Sequence, residues 1–128
     1  MADIKVFEMF AKKAAAKIEA KKKLREKVLH IGDLDADIVI RALTDQEFID
    51  CSEYSEDAIE ADKYTIYYAS KTLQELAGYM MEHGLITEHL QVCDMFSAVD
   101  RTALANQVMA LSGYKGKSTV SEVEEVKK

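Results

Sequence analysis

The sequence predicts a mainly α-helical fold: a compact helical domain with a small β-hairpin, preceded by a basic N-terminal helix and followed by a flexible acidic C-terminal tail. Three observations predict it. The 128 residues contain no proline, so the strongest helix breaker is missing throughout. Apolar residues recur at three- and four-residue spacings along most of the chain, the period of helices that bury one face. One short β-branched run, Ile38-Val39-Ile40, interrupts that period just after a cluster of turn residues. The implied organisation is a basic amphipathic helix over residues 1–29, a helical domain with the hairpin over 30–114, and a tail over 115–128.

The elements follow in order. Asp3 is placed to cap a helix running to about Leu29, with Ile4, Phe7, Ala11, Ala14 and Ile18 as a narrow apolar seam. Lysines crowd its other faces, and alanine and lysine both favour helix by propensity. Gly32 with Asp33, Asp35 and Asp37 reads as a turn, which would pair Val28–Ile31 with a strand over Asp37–Leu43. Thr44 and Glu47 have the spacing of a capping box, opening a short helix with Phe48, Cys51 and Tyr54 inward.

A helix from about Glu56 to Glu82 follows, with Ile59, Ile66, Tyr67, Leu73, Leu76 and Met80 inward and Gly78 as the point where it would break. Gly84 suits a left-handed cap. Thr87 is then expected to cap a helix carrying Leu90, Cys93 and Phe96. Ser97 should open another, with Leu104, Val108 and Leu111 inward and Gly113 as its cap. Beyond Lys115 only Val120, Val123 and Val126 are apolar contacts. Three valines cannot offset the entropy of ordering a dozen residues, so the tail is expected to fold only on a partner. Ser121 and Glu124 would cap that helix.

Charge is unevenly distributed. Residues 1–30 hold nine Lys/Arg against four acids, and residues 31–128 hold eight against nineteen. A basic arm on an acidic body suggests self-association or a polyanionic partner, or a lysine-rich helix that does no more than keep itself soluble. Asp3, Lys5 and Glu8 break the apolar run that a signal peptide would need, and no run of uncharged residues is long enough for a membrane span. Cys51 and Cys93, far apart and outside any CxxC pair, suit a reducing compartment and a buried face.

The motifs of catalysis and metal binding are sparse. An EF-hand loop counted from Asp33 would need glycine at its sixth position and glutamate at its twelfth, where Ile38 and Thr44 stand. His83 and His89 are six apart, not the three or four of a helical zinc pair. The stretch Gly113-Tyr114-Lys115-Gly116-Lys117 has the residues of a phosphate loop without a preceding strand. Neither cysteine has a clear basic neighbour to lower its pKa. The expectation is a protein without catalytic residues, metal or cofactor, which works by binding other proteins.

Taken in order, these segments resemble the XkdN-like phage tail assembly chaperones. The resemblance rests on the strand leading into a capped acidic helix, Asp37 to Asp50, and on the middle helix from Asp62 to Leu76. It rests also on a helix pair closing on Leu111-Ser112-Gly113-Tyr114, and on the terminus Val123-Glu124-Glu125-Val126-Lys127-Lys128. It implies a non-enzymatic role in the host bacterial cytoplasm: binding the tape measure protein, keeping it soluble while tail tube protein polymerises around it, and leaving before the virion matures. Ile4, Phe7, Ile18, Val120, Val123 and Val126 are the candidate partner-binding residues. The rival reading is a basic-arm nucleic-acid-binding or regulatory phage protein, against which the acidic body and the lack of aromatics within the lysine-rich run from Lys12 to Lys27 both argue.

Overall fold

The computed structural model describes residues 4–22 and 25–114, together with Val120. The expected tail over 115–128 therefore lies outside the described residues, Val120 apart. So do Val123, Val126 and the Ser121–Glu124 cap.

The chain begins with helix α1 (Ile4–Lys22) and continues into an antiparallel hairpin of β1 (Glu26–Ile31) and β2 (Ala36–Arg41). The first helix stops well short of Leu29, because Glu26 to Leu29 belong to a strand in register with Ile38 to Arg41. Helical propensity in the lysine-rich stretch yields there to pairing with the β-branched partner strand. The turn is tight: Leu34 N donates to Ile31 O at 3.1 Å and Asp35 N to Gly32 O at 3.2 Å. Asp35 takes φ of +47°, a left-handed conformation that aspartate tolerates better than most residues.

The inward face of β2 supplies Ile38 and Ile40 to the core. Its outer edge does not face water unpaired. Arg41 N donates to Ala69 O at 2.8 Å and Val39 N to Thr72 Oγ1 at 3.1 Å, so a helical corner closes the edge.

That corner joins α3 (Ala58–Tyr68) to α4 (Lys71–Glu82), and it corrects the expectation of one helix from Glu56 to Glu82. The break falls at Ala69-Ser70 and not at Gly78, which lies inside α4. Ser70 is fully buried, and its hydroxyl accepts from Leu73 N at 3.2 Å as the N-cap of α4. Restarting the helix resets its phase. Leu73 and Ala77 then face inward with Ile66 of α3, whereas Ile59 and Leu76, both expected in the core, are exposed. Gly84 closes the segment at φ of +68°.

Helix α2 (Asp45–Ser52) has the expected capping box. Glu47 N donates to Thr44 Oγ1 at 3.2 Å, and Glu47 Oε1 accepts from Thr44 N at 2.9 Å. Cys51 is buried, Phe48 half-buried, and Tyr54, expected inward, lies exposed beyond the helix end. The next expected helix is a 3-10 segment, His89–Met95, capped at Glu88 and not at Thr87. Gln91 Oε1 reaches back to accept from Thr87 N at 2.7 Å. Cys93 and Phe96 are buried, with Val92 beside them.

Helix α5 (Ala98–Leu111) starts at Ser97, whose hydroxyl accepts from Asp100 N at 3.1 Å. It buries Leu104, Ala105 and Val108, and Gly113 follows at φ of +91°. One core gathers the hairpin, α2 to α5 and the 3-10 segment around Ile40, Ile66, Leu73, Val92 and Val108. No helix among the described residues is long and apolar enough to cross a membrane.

Candidate functional site

Two surfaces among the described residues leave apolar side chains open. The first is α1. It has no substantial packing against any other element, and none of its described side chains is buried. Ile4 is 72% exposed, Phe7 59% and Ile18 57%, so the expected seam is present and open. Val6, Met9 and Phe10 are also more than half exposed. They lie off the seam, which is why spacing did not single them out. The first seven residues of α1 thus carry five large apolar side chains, and Ala14 alone among its described side chains is half-buried. Val120, from the expected tail set, is exposed as well.

The second surface is a groove of about 320 Å³ between α2, α3 and α5. Phe48, Ala58, Ala61, Ala105 and Met109 supply its apolar lining, and Glu56 and Asp62 line it with carboxylates. No Lys, Arg or His is among its lining residues.

Tyr114 packs against Phe48, one of the residues that line this groove. Its ring stacks on Phe48 at 4.0 Å between centroids, and its hydroxyl donates to Asp45 Oδ1 at 2.6 Å, which raises the tyrosine's pKa. Ser112 Oγ accepts from Leu43 N at 2.8 Å. The stretch Leu111–Tyr114 therefore fastens the end of α5 to the start of α2, a role its sequence does not reveal.

Several ionisable groups outside these surfaces pair with one another within the fold. Arg41 reaches Glu47 with two hydrogen bonds of 2.9 Å, and this pairing holds the Glu47 carboxyl down to about 2. The Glu47 carboxylate in turn raises the Tyr68 hydroxyl. Lys63 bonds Asp94 at 2.9 Å and Glu60 at 3.2 Å, and both raise its pKa. Burial pushes the Cys51 thiol up to about 11 and the Cys93 thiol up to about 12, so both are protonated near neutrality and make poor nucleophiles.

His30 lies on the exposed face of the hairpin, its Nδ1 2.6 Å from Asp37 Oδ1. His83 stacks on Tyr79 with its Nδ1 2.9 Å from the Tyr79 carbonyl. Among the described residues no three His, Cys, Asp or Glu side chains gather to hold a metal. Comparison with protein-family models, with curated proteins and with solved structures finds no match to the chain.

Proposed function

We propose that this protein is a phage tail assembly chaperone that binds a tape measure protein through α1, keeps it soluble and releases it as tail tube protein polymerises. The observation that carries the reading is the exposure of Phe7, Phe10 and their apolar neighbours on a helix without substantial packing against any other described element. Exposed apolar clusters on a folded chain mark contact sites, and an amphipathic helix recognises other helical, apolar surfaces through residues three and four apart. A tape measure protein is long and helical with apolar stripes, as the resemblance to the XkdN-like family implies. The chain's net charge of −6 supports the role, since it would oppose aggregation of a loaded complex.

Co-expression with the tape measure protein of the same phage tests this. The client should become soluble and co-purify with the chain, and F7E/F10E should abolish both effects. A client that stays insoluble with the wild-type chain contradicts the reading. Salt-sensitive DNA binding lost when Lys12, Lys13 and Lys17 are neutralised would favour the nucleic-acid alternative instead.

A further inference from the structure

We infer that the outer edge of β1 pairs with the same edge of a second copy of this chain, joining the two hairpins into one antiparallel sheet. The hairpin's bonding pattern identifies that edge. Ala42 N donates to Arg25 O at 2.7 Å, so Arg25 and, by alternation, Lys27, Leu29 and Ile31 turn their backbone groups toward β2. The N–H and C=O groups of Glu26, Val28 and His30 then point away from it. The same alternation holds on β2. There Val39 and Arg41, opposite Val28 and Glu26, send their N–H groups outward to Thr72 and Ala69.

One edge of the hairpin is thus closed by the fold and the other is open. Among the described residues the backbone groups of Glu26, Val28 and His30 have no partner, and no element besides β2 packs substantially on β1. Val28, at the centre of the open edge, is 63% exposed. An open strand edge is a template for a further strand.

Symmetry and charge select a second copy as that strand. Glu26 and His30 are evenly spaced about Val28, so a twofold axis at Val28 sets Glu26 of each copy opposite His30 of the other. All three outward positions then exchange both of their backbone bonds. Sliding one copy by a step in either direction leaves an outward position without a mate, and one of those steps sets Lys27 against Lys27. Charge is also polarised along the strand. Arg25 and Lys27 sit at one end, and Asp33 and Asp35 stand in the turn at the other. Antiparallel pairing runs the basic end of each strand along the acidic turn of its partner, with Arg25 opposite Ile31 and two residues from Asp33. Arg25 is exposed and makes one long bond, from Nη2 to Leu111 O at 3.5 Å, and Asp33 has no side-chain partner among the described residues. Both are open to the contact. The pairing uses no residue of α1, so it stands or falls independently of the chaperone reading.

An edge pair buries little area, so the dimer should be weak and form at high micromolar concentration. Sedimentation velocity of the full chain across that range reads it. Wild type should shift from monomer to dimer. Val28→Pro removes an outward N–H and no bond between β1 and β2, and should weaken the dimer at least tenfold. F7E/F10E should leave it unchanged. R25E and D33K, both at exposed positions, should each weaken it several-fold, and their equimolar mixture should recover wild-type association, because only the mixed pair meets opposite charge at both ends. A wild-type chain that stays monomeric at high micromolar concentration overturns the inference. So does loss of the dimer in F7E/F10E, which would place the association on α1, and so does a mixture that associates no more tightly than its separate chains. Should Val28→Pro alter the circular dichroism, the R25E and D33K mixture decides.

Discussion

Helix α1 and the body from β1 to α5 are built from the same kinds of residue and hold their structure by different means. The body buries Ile40, Ile66, Leu73, Val92 and Val108 completely and fixes its corners with side-chain caps at Thr44, Asp57, Ser70 and Ser97. Helix α1 buries none of its described side chains and relies on alanine and lysine propensity, which alone is marginal at 19 residues. An apolar seam at helical spacing shows that a helix has a face to cover. It does not show whether the cover comes from its own chain, and the contrast between α1 and α4 turns on that difference.

The largest effect that sharpens the contrast belongs to the core. Leu73 is fully buried in α4, so Leu73→Ala should cost about 2–5 kcal/mol, read as a steep fall in thermal midpoint. An effect below about 1 kcal/mol would mean that the body is as loosely packed as α1.

Next is the Arg41–Glu47 pair, which ties β2 to α2. The folded state holds Glu47 at about 2 against an ordinary 4.5. Its contribution is therefore present above about pH 4.5 and is lost as pH falls toward about 2, on the order of 2 kcal/mol after allowing for partial exposure. Glu47→Gln should flatten the acid limb of the stability–pH curve in that window. An unchanged limb would show that other carboxylates govern acid unfolding.

Ser70→Ala removes the cap of α4 and should cost about 1 kcal/mol. A neutral result would place the corner's stability in the Arg41 N to Ala69 O bond instead. Smallest of all is F7E/F10E, expected to change the body's unfolding free energy at high dilution by less than about 0.5 kcal/mol.

Much of the body was legible in the sequence because its signals are local. The Thr44–Glu47 box, the Gly32–Asp35 turn (Asp37, expected in it, belongs to β2), the Ser97 cap and the glycines at 84 and 113 each act within a few residues of themselves. The break at Ala69-Ser70 was missed because a buried serine there is selected by long-range contact: β2 needs an acceptor for Arg41 N, and a helix corner supplies it. The serine ahead of Lys71-Thr72-Leu73 was nonetheless a readable cap signal. The end of α1 was misjudged because Glu26 to Leu29 are strand only through pairing with β2. Of the candidate surfaces, Ile4, Phe7 and Ile18 were visible as a seam. The groove was not, since Phe48, Ala61 and Ala105 meet only through packing of three separate helices.

Amide hydrogen exchange on the full chain at high dilution tests most directly the claim that α1 draws no stability from the fold. Amides of Ile4–Lys22 should exchange quickly and at the same rates in wild type and Leu73→Ala, while those of α4 and α5 exchange slowly and accelerate in the variant. Protection of α1 equal to that of α4, falling with it in Leu73→Ala, would show that the helix belongs to the core and would contradict the account.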